Sequence, residues 1–184
     1  MRAFVALDVP QENVLKQLIS VQGELSETRA DLKIVARENL HFTVKFLGEM
    51  SEAQVKEAES RMAALDVKGA EVNLRGVGAF PHPRRPRVIW VGVASEDTPK
   101  IFQLADTVIA ALEGIGETEE RGFQAHITLA RVRSGRNKEA LFTFLEKHAN
   151  HEFGVMRFET LKFKSSELTP RGPIYTDIGV YKLR

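Results

Sequence analysis

Two copies of one short motif, His-x-Thr followed by an apolar residue, stand in the two halves of the chain. The motif is HFTV at residues 41–44 and HITL at residues 126–129. Side chains of a β-strand alternate between its two faces, so the His and the Thr of each copy point the same way, about 6.5 Å apart along the strand. If a pseudo-two-fold axis relates the halves, we expect the two His-Thr pairs to face each other across one cleft.

Two histidines and two threonines in this arrangement suit an in-line phosphoryl transfer. An imidazole, whose pKa is ordinarily about 6.5, acts as a base or an acid near neutral pH. One of His41 and His126 can therefore deprotonate a nucleophile while the other protonates the departing oxygen. The hydroxyls of Thr43 and Thr128 are short donors for the charge that grows on the phosphoryl oxygens. One strand histidine alone is more often an ordinary half-buried residue, but core packing does not explain the same pattern twice.

The composition excludes several other kinds of site. The chain has no cysteine, which rules out zinc ribbons, thiolate catalysis and iron–sulfur ligation. No His-Glu-x-x-His spacing occurs, and Glu38 and Glu49 near the motifs do not form a two-metal carboxylate cluster. The proposed chemistry therefore demands no metal.

Length and charge bound the class of protein. The chain has 184 residues, 43% of them hydrophobic and 28% charged, which is typical of a globular protein with one core. No stretch approaches the roughly 18 apolar residues of a membrane span, and no signal peptide opens the chain, so we expect a soluble cytoplasmic protein. The 26 Lys and Arg against 25 Asp and Glu leave a net charge of +1, too little to coat long duplex nucleic acid. Positive charge is instead local, in three clusters: Arg84, Arg85 and Arg87; Arg131, Arg133 and Arg136; Lys162, Lys164 and Arg171.

Hydrophobic periodicity predicts strands and helices in a similar order in the two halves. Three prolines between residues 81 and 86 predict a turn without regular strand pairing. The predicted strands are 2–9, 32–36, 40–47, 72–80, 88–93, 126–132, 155–163 and 174–183. The predicted helices are one that begins after Pro10, one that begins after an N-cap at Ser51, and those over 98–112 and 138–147.

This order predicts an α+β protein whose two halves arose by internal duplication. We expect a bilobal fold with two mainly antiparallel sheets facing a central cleft and helices packed outside. No linker separates the halves, so residues 1–184 are expected to form a single bilobal domain.

Four segments give the chain a specific resemblance. They are RAFVALD at 2–8, HFTVKFLGE at 41–49, HITLAR at 126–131 and LTPRGPIY at 168–175. With them the sequence resembles the two-histidine (2H) phosphoesterase superfamily, and within it the RNA 2′,3′-cyclic phosphodiesterases, also called 2′-5′ RNA ligases. The resemblance spans nearly the whole chain, and the motif positions show no departure from it.

The resemblance implies an RNA-processing hydrolase that opens a terminal 2′,3′-cyclic phosphate to a 2′-phosphate. It makes His41 the proton donor and His126 the proton acceptor, with Thr43 and Thr128 holding the phosphoryl oxygens. An RNA 5′-hydroxyl in place of water would give reversible 2′-5′ ligation without ATP. The partner would be an RNA end, no cofactor would be needed, and a monomer would suffice because one chain supplies both histidines.

Two cations are candidates for substrate binding. Lys45 stands four residues after His41, so regular alternation predicts that it shares the face of that histidine, whereas Phe46 is predicted to pack inside. Arg131 stands five residues after His126 and alternates to the opposite face unless the strand bends after Ala130. The resemblance places Arg131 at the cleft rim against phosphate, and an exposed sheet-edge arginine is the alternative.

Several other points stay open at this stage. Trp90 and Tyr175 suit either base stacking or the core. The two alternative functions are a phosphodiesterase acting on a small cyclic nucleotide and a non-catalytic module that binds RNA ends or nucleotides. Turnover would separate the second alternative from an enzyme.

Overall fold

The computed structural model describes all 184 residues, which form four α-helices and nine β-strands. The helices are α1 (Glu12–Glu27), α2 (Glu52–Ala63), α3 (Thr98–Ala111) and α4 (Lys138–Lys147). The strands are β1 (Arg2–Asp8), β2 (Leu32–Ile34), β3 (His41–Glu49), β4 (Ala70–His82), β5 (Arg85–Val93), β6 (Ile127–Val132), β7 (Glu152–Phe158), β8 (Thr160–Thr169) and β9 (Gly172–Lys182). No helix has both the length and the apolar character required to cross a membrane.

All strand pairs are antiparallel, which confirms the predicted α+β class. The strands follow the order β7-β4-β5-β6-β3-β1-β8-β9, and β2 pairs with β6 beside β3. The two expected sheets are therefore the two halves of one continuous nine-stranded sheet. They join where β3 meets β6, through the single ladder pair Phe42 and Ile127.

The two halves take their strands from different parts of the chain. The four strands from β7 to β6 all lie within residues 70–158, whereas β3 and β1 come from the start of the chain and β8 and β9 from its end. The contiguous half is thus inserted between the strands of the other half.

One hydrophobic core lies between the sheet and the helices. Helix α1 buries one side, with Val14, Leu18, Val21 and Leu25 at most 1% exposed, and these residues join the same apolar cluster as alternate residues of β1. Helix α2 begins as predicted at Ser51, whose hydroxyl accepts from the Gln54 backbone N–H in a capping box.

The prediction of an unpaired turn at residues 81–86 is wrong. Strands β4 and β5 continue pairing through it, with Pro81 opposite Pro86 and His82 opposite Arg85. A proline removes a ladder hydrogen bond only where its N–H would face a neighbouring strand. At this hairpin tip β4 has passed the end of its pairing with β7, which stops at Arg75, so the outer side of Pro81 needs no donor.

Two other predicted strands differ from the observed ones in ways that bear on the site. The stretch 155–163 is not one strand, because the pairing breaks at Glu159 and the chain crosses from β7 in one half to β8 in the other. The second motif starts just before its strand, since β6 begins at Ile127 rather than at His126. The alternation of apolar and polar residues continues through Glu159 and through His126. Hydrophobic periodicity alone therefore does not show where one strand ends or the next begins.

The segment between α3 and β6 is fixed against β3 by a close backbone approach. The Glu117 N–H donates to the Leu47 carbonyl at 2.9 Å. Gly116 has a φ of +71°, and a Cβ there would lie 2.9 Å from the Leu47 Cα. The absence of a side chain at Gly116 therefore lets the segment that leads to His126 lie against β3.

We expect Gly116→Ala to lower the free energy of unfolding more than Gly114→Ala. Both glycines have positive φ, which costs an alanine about 1–2 kcal/mol, but nothing lies within 4 Å of a Cβ at Gly114. Overpacking against Leu47 should add about 1–3 kcal/mol in Gly116→Ala. Urea unfolding of the two variants measures the difference, and equal midpoints would contradict the close approach.

Candidate active site

The meeting of β3 and β6 brings the two His-x-Thr motifs together. Because Phe42 lies opposite Ile127 in an antiparallel pair, the residues that flank each of them are neighbours across the strands. Phe42 and Ile127 are fully buried on the core face. His41, Thr43 and Thr128, which flank them in the strands, and His126, just before β6, therefore share the opposite, open face of the sheet.

Backbone carbonyls fix the same nitrogen in both imidazoles. His41 Nδ1 lies 2.6 Å from the Asn39 carbonyl oxygen, and His126 Nδ1 lies 2.9 Å from that of Gln124. A carbonyl only accepts, so each Nδ1 carries a proton and donates it. Each Nε2 is consequently the atom that gains or loses a proton. In both halves the carbonyl belongs to the residue two positions before the histidine.

One of the two threonines lies directly beside a reactive nitrogen, and the other shares the open face. Thr43 Oγ1 is 2.9 Å from His41 Nε2, and Thr43 lines a cavity together with His126. Thr128 pairs with Trp90 in the adjacent strand. The site thus joins two acid–base groups to two hydroxyl groups, the combination that in-line phosphoryl transfer requires.

A β-bulge follows the threonine in each motif strand. The pairing of β1 with β3 skips Val44, and the pairing of β5 with β6 skips Leu129. Two successive residues are then buried in each strand: Val44 with Lys45, and Leu129 with Ala130. The bulge therefore reverses the alternation of side chains at the same position in both motifs.

The bulge in β3 overturns the prediction for Lys45. This lysine lies opposite Val5, a core residue, and is only 9% exposed, so it does not share the face of His41. Phe46, predicted to be inside, is instead 52% exposed on the open face, where it lies opposite Phe4. Regular alternation fails here because a bulge has no signature in the residue types.

The bulge in β6 turns Arg131 to the open face. It lies opposite Val88, and its charge acts on both His126 and Tyr175. The sequence left open whether the strand bends after Ala130. The strand does bend, but at Leu129, one residue earlier. Arg131 and Phe46 occupy equivalent positions, five residues after the histidine of their motif.

His41 lies beside a cluster of four paired charges. Asp8 is its ladder neighbour in β1. Lys162 Nζ lies 2.8 Å from Asp8 and 3.1 Å from Asp177, and Lys164 Nζ lies 3.3 Å and 2.8 Å from the same two carboxylates. The predicted basic cluster of Lys162 and Lys164 is therefore neutralised rather than free for an anion.

Burial lowers the pKa of His41 below its ordinary range, while the Asn39 carbonyl and the Asp8 carboxylate partly restore it. Lys164 and His126 act in the opposite direction. The charge cluster therefore shifts the pKa of His41 in both directions: Lys164 lowers it, and Asp8 raises it by favouring the imidazolium.

His126 has apolar and cationic surroundings instead. Its ring lies edge-on to Phe80, with 5.2 Å between centroids, and Phe80 packs on Trp90. Burial lowers the pKa of His126, the Gln124 carbonyl raises it, and Arg131 lowers it further. Burial and Arg131 together outweigh that carbonyl, so the neutral form of His126 is stabilised.

Two aromatic residues left open by the sequence take different places. Tyr175 lies in the site, 5.4 Å from His41 and 4.9 Å from Phe4 between ring centroids, and burial raises its pKa. Trp90 lies across Gly78 and Gly92, where its buried Nε1 has no acceptor.

Sequence reasoning missed Asp8 and Phe46 as members of the site and left Tyr175 open. Asp8 lies within a segment that carries the family resemblance, and that was the only signal for it. Nothing in the sequence showed that β1 pairs with β3, or that Tyr175 of β9 reaches His41 although β8 and β1 separate β9 from β3. No group of three or more His, Cys, Asp or Glu side chains in the structure could hold a metal ion.

The chain is similar to a well-defined set of proteins. The family model described as LigT like Phosphoesterase matches it twice, over residues 9–90 and 91–175. It is 36% identical to the RNA 2′,3′-cyclic phosphodiesterase of Archaeoglobus fulgidus, over 99% of this chain and 100% of that protein. The protein of that name from Methanothermobacter thermautotrophicus is also 36% identical, over 100% of this chain and 99% of its own length.

Solved structures share the fold. A Thermus thermophilus protein superposes with a TM-score of 0.80 at 30% identity, over 100% of this chain and 98% of its own. E. coli LigT in complex with 3′-AMP gives a TM-score of 0.79 at 23% identity, over 99% and 97%. The fold class and the predicted resemblance are both confirmed.

Replacing Asp8 with Asn should lower the pKa of the His41 imidazole further. The substitution removes the carboxylate that favours the imidazolium and leaves Lys162 and Lys164 with one anionic partner. NMR titration of the imidazole C–H signals measures the shift. Asp66→Asn, which breaks the ion pair with Arg184, is the matched control and should leave the His41 titration unchanged. An unshifted pKa in Asp8→Asn would contradict the assigned influence.

Proposed function

The chain belongs to the LigT-like phosphoesterase family of 2H phosphoesterases, and on that basis we propose that it hydrolyses the 2′,3′-cyclic phosphate at an RNA end to a 2′-phosphate. One observation carries the proposal: two imidazoles, each with Nδ1 held by the carbonyl two residues earlier, present Nε2 on one open face beside two threonines. The relatives named RNA 2′,3′-cyclic phosphodiesterase match the chain over its whole length.

In this mechanism His126 is the base. Its Nε2 takes a proton from water, and the water oxygen attacks phosphorus on the side opposite O3′. The P–O3′ bond breaks, its electron pair stays on O3′, and His41 Nε2 donates the proton that O3′ requires. The phosphate remains on O2′. Each histidine then holds the protonation state in which the other began, and exchange with solvent resets the pair.

The surroundings of the two histidines support this division of roles. The acid must start protonated; burial lowers the pKa of His41, and Asp8 is the charged neighbour that opposes this shift by favouring the imidazolium. The base must start neutral, and Arg131 with the apolar wall of Phe80 favours the neutral ring of His126. Thr43 and Thr128 would donate to the phosphoryl oxygens as charge grows there. Arg131 would contact a non-bridging oxygen or the adjacent phosphate of the RNA.

The same site also supports 2′-5′ ligation. A 5′-hydroxyl in place of water leaves a 2′-5′ phosphodiester, and the reverse reaction uses the same two histidines. The strained five-membered ring provides the free energy for the new bond, so no ATP is needed. One chain carries the complete set of groups, and we propose that it works as a monomeric single domain with two equivalent lobes.

The first test uses an oligoribonucleotide that ends in a 2′,3′-cyclic phosphate, incubated with EDTA-treated protein. We expect turnover without added metal and a product with phosphate on O2′. A 3′-phosphate product would contradict the assigned leaving group. Binding without turnover would support an RNA-end binding module, and turnover of mononucleotide cyclic phosphates alone would support the small-nucleotide alternative.

His41→Ala and His126→Ala should each lower kcat by at least about 100-fold, since a positioned acid or base contributes about 10²–10⁴-fold. Both variants should keep the wild-type circular dichroism and unfolding midpoint. His151→Ala is the matched control, because His151 pairs with His148 and lies outside the cleft. Activity near wild type in either cleft variant would rule out the two-histidine mechanism.

Arg131→Gln should change both affinity and pH dependence. Loss of a charge-assisted hydrogen bond of about 1.5–3 kcal/mol predicts a KM at least about tenfold higher. Because Arg131 lowers the pKa of His126, its removal raises that pKa. The base works only when neutral, so the acid limb of the kcat/KM profile should move to higher pH. Arg133→Gln, which loses an ion pair with Asp31, should show neither change.

A further inference from the structure

A cavity of about 280 Å³ opens beside His126, and apart from Thr43, Gln124 and His126 its lining residues have no part in the hydrolysis mechanism. Its walls are Thr43 and Phe46 from β3 and the segment from Glu119 to Gln124 that precedes His126. Gly116 and the bond from Glu117 to Leu47 hold this segment against β3. Pockets for small ligands begin at about 300 Å³, so the cavity suits a single nucleoside.

The cavity lies on the nucleophile side of the site. In an in-line displacement the attacking oxygen enters opposite the leaving O3′. His41 protonates O3′ and His126 deprotonates the nucleophile, so the nucleophile arrives from the side of His126. The cavity adjoins His126 and Thr43, whereas His41 does not line it. The ribose that carries the cyclic phosphate therefore belongs on the other side, near Tyr175 and Arg131.

The two ends of the cleft differ in chemistry although their positions are equivalent. The end near Tyr175 has Arg131, whose charge also reaches His126 and which suits the phosphates of the RNA strand bearing the cyclic end. The end near His126 has Phe46 in the equivalent position, with an exposed ring on the open face. An exposed aromatic ring beside a nucleoside-sized cavity is a stacking platform for a base.

The charged residues of the cavity select for an uncharged end. Glu119 and Glu120 both line it, with Arg121 as the only cation. Carboxylates repel a 5′-phosphate, but they accept hydrogen bonds from ribose hydroxyls and base amino groups. The cavity therefore favours a strand that begins with a free 5′-hydroxyl, which is the group able to attack phosphorus.

We propose that this cavity is an acceptor subsite, which binds the 5′-hydroxyl nucleoside of a second RNA strand and stacks its base on Phe46. The inference rests on the proposed function and deepens it. The 5′-oxygen forms a bond to phosphorus, its proton passes to His126 Nε2, the P–O3′ bond breaks, and His41 protonates O3′. The product is a 2′-5′ linkage. Occupancy of the cavity thus decides between transfer to RNA and transfer to water.

The test measures how one reaction divides between two products. A donor oligoribonucleotide with a 2′,3′-cyclic phosphate is incubated with an excess of a 5′-hydroxyl oligoribonucleotide whose 3′ end is blocked. The ratio of 2′-5′-linked product to 2′-phosphate product is determined for the wild type and for Phe46→Ala. We expect the ratio to fall about tenfold in the variant, as the loss of one base stack would produce.

Matched variants make the result specific. Phe46→Trp keeps an aromatic face and should hold the ratio near wild type, whereas Phe46→Leu keeps apolar bulk without a ring and should behave like Phe46→Ala. Val155→Ala truncates another exposed apolar strand residue, on β7, and should leave the ratio unchanged. Because Phe46 is exposed, these variants should fold, which unfolding midpoints will verify.

Each remaining outcome overturns a distinct claim. An unchanged ratio in Phe46→Ala would sink the acceptor subsite. A higher KM for the donor with an unchanged ratio would place the donor's own nucleoside in the cavity. Hydrolysis by the wild type without any linked product at saturating acceptor would refute the subsite and leave the phosphodiesterase intact, whereas absence of hydrolysis would refute the proposed function itself.

Discussion

The antiparallel contact between β3 and β6 is the constraint on which the site depends. One ladder pair, Phe42 with Ile127, joins the two halves of the sheet and buries both side chains. That pair fixes which residues face the opposite side, and so it brings two histidines and two threonines together from distant parts of the sequence. A shift of one residue in this register would turn one motif toward the core and leave the other without a partner.

Equivalent positions in the two halves carry different residues, and the difference gives each histidine its environment. The carbonyls of Asn39 and Gln124 make the two imidazoles alike in tautomer. Around this shared frame, aromatic rings adjoin both histidines, but a carboxylate adjoins His41 whereas the charge of a guanidinium acts on His126. The equivalent positions of the two histidines thus provide the geometry of an acid–base pair. The different residues around them distinguish the proposed acid from the proposed base.

The sequence predicted the class of fold, and it predicted that both histidines and both threonines meet on one face, because the motif is local and repeated. It failed at Lys45 and Phe46, whose faces depend on a backbone bulge after Thr43 that no residue type announces. The same bulge after Thr128 decided the place of Arg131, which alternation alone could not. Asp8 was missed and Tyr175 was left open because their places depend on the order of strands β3, β1, β8 and β9, and that order is set by packing over the whole chain.

The insertion of one half into the other has a consequence for biosynthesis. The strands within residues 70–158 are synthesised before β8 and β9, and α1, which packs on them, is synthesised earlier still. Strand β1, in contrast, keeps one unpaired edge until β8 is made, and β8 in turn pairs with β9, which follows it in the chain. We therefore expect the half with His126 to form first on the ribosome, while the β1 edge is the part of the nascent chain that chaperones must protect.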